Sequence, residues 1–169
     1  MVINRTLTEL ATSIATNAHE GQLDKAGLKY IDHPRRVAAH AEIARQKFAP
    51  HLDHHEVASV AWLHDVVEDT NVTLDNLATE GFPSNVLRAV QLLTHKEGIE
   101  RNHYMDAIED DVLATIVKYA DTLDNTDPTR VTLLSQSDPN KAEKLTAKYA
   151  GQLLRLELAI QSQHSNKGG

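Results

Sequence analysis

The chain has no cysteine. Disulfides are excluded, and so are thiolate metal sites; any bound metal must be held by imidazole and carboxylate. The absence fits a cytoplasmic location. Basic residues are also short: 17 Lys and Arg stand against 24 Asp and Glu, a formal charge of −7. A general nucleic-acid binder needs a basic surface, so no nucleic-acid partner is expected, whereas a small anionic ligand in one locally cationic pocket is compatible. No apolar run approaches a membrane span, and residues 1–21 lack the apolar core of a signal peptide, so no membrane association is expected. No segment alternates apolar and polar residues as a half-buried strand does, and no repeat or low-complexity linker appears. With 169 residues, 41% of them hydrophobic, there is enough chain for one sizeable core. The expectation is a single all-α domain over residues 1–164, of about seven to nine helices, with a disordered tail at 165–169.

The most apolar stretch is Glu56–Thr70, EVASVAWLHDVVEDT. Val57, Val60, Ala61, Trp62, Leu63, Val66 and Val67 predict a helix buried on most of its surface. The same stretch carries His64, Asp65, Glu68 and Asp69. On a continuous helix Glu68 lies one turn above His64, and Asp69 one turn above Asp65. Carboxylates near a helix C-terminus oppose the macrodipole, and burying them unpaired is costly. Either a cation such as a metal ion sits there, or the helix end surfaces into solvent.

Around this stretch the spacing predicts a helix over 4–20, closed by Gly21, then a polar loop over 21–32. His33-Pro34 opens a second helix running to about Phe48, proline being suited to a first turn. Asp53 is placed to cap the core helix. Short helices follow at Leu74–Thr79 and from Pro83-Ser84, and another at 100–109. Asp110 is read as the cap of the helix DVLATIVKYADTLDN, which Asp127-Pro128 breaks. A long last helix runs from Asp138-Pro139 to about Ser162. In the 110–126 helix, Asp121 and Asn125 are four apart beside the apolar stripe. Asp121 is read as a ligand, and Asp124 and Asp127 as a solvated helix end. His33 alone reads as an ordinary helix-start residue.

The three motifs together read differently. An isolated His, an adjacent His-Asp on a core helix and an Asp on a later helix resemble the ligand pattern of the HD metal-dependent phosphohydrolases. Tyr30-Ile31-Asp32-His33-Pro34, Leu63-His64-Asp65-Val66-Val67-Glu68-Asp69-Thr70 and Lys118-Tyr119-Ala120-Asp121 through Asn125 resemble the hydrolase domain of the RelA/SpoT enzymes, and above all the stand-alone small alarmone hydrolases. The resemblance runs from about residue 15 to residue 160 and implies an HD-type helical bundle. It implies His33, His64, Asp65 and Asp121 as metal ligands, usually of Mn²⁺. It implies Glu68 and Asp69 as the acidic pair that positions and activates the attacking water. It implies Lys25, Asn125 and Tyr149 as substrate contacts. The chain departs from the pattern at Asp24, where a basic residue is common, and at Thr122 and Asp124, which replace Arg and His of a motif reading LADRLHN. These departures bear on recognition of the guanosine nucleotide and leave the ligand set intact.

Independently of the resemblance, two imidazoles and two carboxylates form a mixed N/O site suited to Mn²⁺, with Fe²⁺, Co²⁺ or Zn²⁺ not excluded by donor type. The implied activity is metal-dependent removal of the 3′-pyrophosphate from guanosine 3′,5′-bis(diphosphate), ppGpp, or from pppGpp, giving GDP or GTP and pyrophosphate. Two alternatives stand beside it: an HD phosphohydrolase acting on another nucleotide, such as NADPH or a nucleoside phosphate, and a non-catalytic nucleotide-binding module. No synthetase domain is present in the sequence.

Overall fold

The structure is a computed structural model that describes residues 5–24, 27–137 and 139–165. Ten helical segments occur among them: α1 (Leu7–Ala18), α2 (Asp32–Phe48), α3 (His54–Leu63), α4 (Val66–Asp69), α5 (Leu74–Thr79), α6 (Ser84–Leu93), α7 (Arg101–Glu109), α8 (Val112–Asn125), α9 (Pro128–Ser137) and α10 (Pro139–Ser165). The all-α expectation holds: the described β pairing is a single bridge between Leu23 and Lys29.

Local chemistry sets most boundaries. Thr6 and Glu9 form a reciprocal capping box at α1, and Thr73 with Asn76 forms the equivalent at α5. Asp53 caps α3 as expected, its carboxylate accepting from the Glu56 N–H at 3.0 Å. At α8 the capping carboxylate belongs to Asp111, which accepts from the Ala114 N–H at 3.0 Å; Asp110 instead closes α7. The helix α9 is an addition to the sequence reading. Pro128 occupies its first turn, and the Asp127 side chain accepts from the Thr129 N–H at 2.9 Å. The proline that ends α8 therefore also starts α9. The last helix extends to Ser165, so the first residue of the expected tail is helical; residues 166–169 lie outside the described residues.

The core helix is not continuous. It breaks at His64-Asp65, between α3 and the single turn α4. The Asp69 N–H reaches the Asp65 carbonyl at 2.8 Å, so α4 follows directly on the interruption.

The helix α3 is central: α1, α2, α6 and α8 pack against it, and α2 also packs along α8. The helix α10 covers α8 and α9. Val37, Val57, Val60, Leu63, Ile116, Val117, Leu156 and Ile160 are buried between these elements. Fully burying one such side chain stabilises the fold by about 1.5–3 kcal/mol. The packing of α2, α3 and α8 brings the start of α2, the end of α3 and the end of α8 together. No described helix is long and apolar enough to cross a membrane.

Candidate metal centre

Three helix ends deliver the site. His33 stands at the start of α2, His64 and Asp65 at the break between α3 and α4, and Asp121 in the last turn of α8. His33, His64 and Asp121 are buried, and their ligand atoms lie within 4.8 Å of one another. The two imidazole Nε2 atoms are 3.3 Å apart. Asp121 Oδ1 is 3.4 Å from His33 Nε2 and 3.9 Å from His64 Nε2. Asp65 Oδ2 lies 3.0 Å from His64 Nε2 and 3.6 Å from His33 Nε2. His33, His64 and Asp121 therefore meet at one point, and Asp65 reaches that point through its contacts with the two imidazoles.

The other ring nitrogens are committed. His64 Nδ1 is 2.7 Å from the Ala61 carbonyl, which can only accept, so Nδ1 carries the proton. His33 Nδ1 is 2.7 Å from Asp124 Oδ2 and is fixed as a donor in the same way. In their neutral forms both rings then present Nε2 lone pairs to each other and to two carboxylate oxygens. Such a convergence calls for a cation, and the donor set fits a divalent metal with mixed N/O ligands.

Protonation of the imidazoles answers part of this need. Burial works against charging His33, but hydrogen bonds to Asp121, Asp124 and Asp65 overcome it and raise its pKa to about 11. His64 is raised in the same sense against its own burial, chiefly by the Asp65 charge. Burial pushes the Asp121 carboxyl upward, but the Lys118 ammonium and His33 hold it well below the usual carboxylate range. Lys118 Nζ is 2.9 Å from Asp121 Oδ2, leaving Oδ1 for the histidines and for the Asn125 amide, which donates to it at 2.8 Å.

The acidic pair of α4 is placed differently. Glu68 and Asp69 are exposed on α4. Glu68 Oε2 accepts from the His95 N–H at 2.7 Å, which ties α4 to the loop after α6. Tyr30 bridges toward Asp69: its hydroxyl lies 2.5 Å from Asp65 Oδ2 and 3.3 Å from Asp69 Oδ2. Burial and the charge of Asp65 push the Tyr30 hydroxyl well above its ordinary pKa, so it serves as a donor.

The expected substrate residues are less gathered. Asn125 is at the cluster through Asp121. Tyr149 is half-buried on α10, with the Lys148 ammonium 5.5 Å from its ring centre. Lys25 lies outside the described residues. Its neighbour Asp24 shapes the loop, its carboxylate accepting from the Leu28 N–H at 3.0 Å while Gly27 takes a φ of +78°. That loop docks beside α4, where Gln22 donates to the Asp69 carbonyl at 3.3 Å.

Asp124 corrects the sequence reading. It is fully buried, not a solvated helix end. Besides His33 it binds Arg36, whose Nε is 2.6 Å from Oδ1 and Nη2 3.1 Å from Oδ2. Burial raises the carboxyl, but these partners outweigh it and lower its pKa to about 2. A signal for it existed in the sequence: His33 and Arg36 are three apart on one helix, Asp121 and Asp124 three apart on another, so two matched faces meet. Lys118 was likewise overlooked as a partner, although it lies three residues before Asp121.

The fold and site thus define an all-helical protein built round a buried His/Asp cluster able to hold a divalent metal. No family model matches the chain. Over 67 residues, 40% of this chain, it is 48% identical to a guanosine-3′,5′-bis(diphosphate) 3′-pyrophosphohydrolase of Haemophilus influenzae, and it spans only 9% of that protein's length. Its fold is shared by a solved structure described as a metazoan ortholog of SpoT that hydrolyzes ppGpp and plays a role in starvation responses. The TM-score is 0.59, the identity 19%, and the match covers 99% of each chain. The chain is thus similar in sequence to a ppGpp hydrolase and in fold to a SpoT ortholog, in line with the motif resemblance.

Proposed function

We propose that the chain is a Mn²⁺-dependent hydrolase of ppGpp and pppGpp, acting in the cytoplasm and releasing pyrophosphate with GDP or GTP. The observation that carries this reading is the convergence of His33, His64 and Asp121, with Asp65 against both imidazoles, in a chain that shares 48% identity over 67 residues with an enzyme so named. His33, His64, Asp65 and Asp121 would hold the ion. Bound there, it would supply Lewis-acid chemistry, drawing charge from a phosphoryl oxygen and lowering the pKa of an attacking water.

The chain's own residues do the rest. Glu68, held by the His95 N–H, has its second oxygen for the attacking water and takes its proton as general base. Asp69 orients the same water, with Tyr30 linking it to Asp65. Water adds across the bond between the ribose 3′ oxygen and the pyrophosphoryl group. The new P–O bond forms as the 3′ oxygen leaves and takes up a proton. Lys25, Asn125 and Tyr149 would contact the nucleotide, with Asn125 also steadying Asp121.

A second substrate is favoured by one observation. Thr122, where the resembled motif has Arg, is fully buried and receives a hydrogen bond from the Gln152 amide at 2.7 Å. No cation is offered from that position, so another nucleotide such as NADPH or a nucleoside phosphate is the competing reading. The decisive assay compares ppGpp, pppGpp, NADPH and simple nucleotides with the Mn²⁺-loaded protein. Pyrophosphate release from ppGpp that disappears in His64→Ala supports the proposal. Turnover of another nucleotide alone replaces the substrate, and tight binding without turnover of any replaces the enzyme with a binding module.

A further inference from the structure

We propose that Asp124, clamped by Arg36, is the positioning residue of His33: it fixes the ring so that Nε2 presents its lone pair to the metal. The inference rests on the metal-site reading above. In the LADRLHN pattern the equivalent position is histidine, so an acidic partner for His33 is not part of the resemblance.

The argument begins with cost. Asp124 is fully buried near the C-terminus of α8, where the helix dipole repels negative charge. A carboxylate is not kept there without compensation. Its compensation is two-sided. The Arg36 fork holds both oxygens, with contacts of 2.6 and 3.1 Å, and sets the plane of the carboxylate. Oδ2, so fixed, takes the His33 Nδ1 proton at 2.7 Å. The consequence lies across the ring, where Nε2 is aimed at His64 Nε2, 3.3 Å away, and at Asp121 Oδ1, 3.4 Å away. A plain latch between α2 and α8 would need the arginine pair alone; it would not need the carboxylate to hold the imidazole. Carboxylate partners of ligating histidines fix the tautomer and raise the basicity of the ligating nitrogen.

The test is Mn²⁺ affinity, read from the electron paramagnetic resonance signal of free Mn²⁺, not activity. Asp124→Ala should weaken binding about 10–100-fold. Asp124→Asn, nearly isosteric, should weaken it less while keeping the thermal midpoint closer to wild type, and it carries the test if the alanine variant fails to fold. Arg155→Ala is the control, because it removes the clamp of Arg155 on Asp106 and Glu109 between α10 and α7 without touching the site. Affinity unchanged in both Asp124 variants, or reduced no more than in Arg155→Ala, overturns the proposal. A second readout needs no metal. The wild type should show a low-field ring-proton resonance from His33 Nδ1, absent in Asp124→Ala and moved upfield in Asp124→Asn, whose amide oxygen still accepts; its absence from the wild type overturns the assignment. Failure of the wild type to bind Mn²⁺ would instead sink the metal reading, leaving the proton resonance to decide the Asp124–His33 contact.

Discussion

The two ends of α8 treat carboxylates in opposite ways. At the N-terminus Asp111 caps the helix, with its charge on the favourable side of the dipole and its side chain near solvent. At the C-terminus Asp121 and Asp124 are buried against the dipole, and each has needed a cation, Lys118 for one and Arg36 for the other. The first carboxylate stabilises the helix it belongs to. The second pair is costly to the helix and is retained with partners drawn from α2 and from within α8. Carboxylates that are expensive where they stand, and that face imidazoles, point to a site.

Breaking the costly end should have the largest effect. Asp121→Ala removes a proposed ligand and leaves the half-buried Lys118 without its partner. Activity should fall to the assay floor with Mn²⁺ binding lost, and a chelator should do the same to the wild type, reversibly on adding Mn²⁺ back. Retention of stoichiometric Mn²⁺ in Asp121→Ala would remove it from the ligand set. Glu68→Ala tests the exposed pair on α4. Metal content should be kept while kcat drops by about 10²–10³-fold, the contribution expected of a general base. Metal analysis finding the site empty would undo this division of roles.

Lys118→Met sharpens the comparison from the other side. It leaves Asp121 buried with its Oδ2 unpaired, which should cost about 3–5 kcal/mol in the metal-free protein. Added Mn²⁺ should recover part of that loss, because a bound cation replaces the missing charge. Thermal melts with and without the metal read both quantities. An equal loss in the two conditions would mean that Lys118 and the metal do not share Asp121.

The favourable end of α8 is the kind of structure that sequence shows well, and the costly end is not. Caps are local: Thr6, Asp53 and Thr73 act within three residues of themselves, and the break of the chain into helices follows from such signals and from the 3.6-residue period. Where the reading slipped, the alternatives were adjacent, as with Asp110 and Asp111, or one residue did two jobs, as with Pro128. The clustering of His33, His64 and Asp121 was legible because buried chemistry on apolar helices is anomalous, and because three such anomalies matched one pattern. The role of Asp124 was legible only from two helices read together, through the matched spacings of His33 with Arg36 and of Asp121 with Asp124. Nothing within α8 distinguishes a solvated helix end from one covered by α2, since the partners His33 and Arg36 lie 91 and 88 residues away. The interruption at His64-Asp65 was hidden for a simpler reason: the apolar residues continue through it, from Leu63 to Val66.

The smallest effects belong to Asp111, where one carboxylate serves two neighbours. Oδ1 accepts from the Ala114 N–H at 3.0 Å, and Oδ2 lies 3.4 Å from Arg88 Nε on α6. The cap satisfies a backbone donor that has no partner within the helix, so Asp111→Ala should cost about 1 kcal/mol. The Arg88 side chain is 65% exposed, so its ion pair is screened by water and needs a long side chain held still. Arg88→Ala should therefore change stability by less than about 0.5 kcal/mol. Denaturant titrations of the two single variants and the double variant separate these contributions. If Arg88→Ala matched Asp111→Ala, the arginine would be holding the cap in place, and the N-terminal end of α8 would depend on a cation as its C-terminal end does.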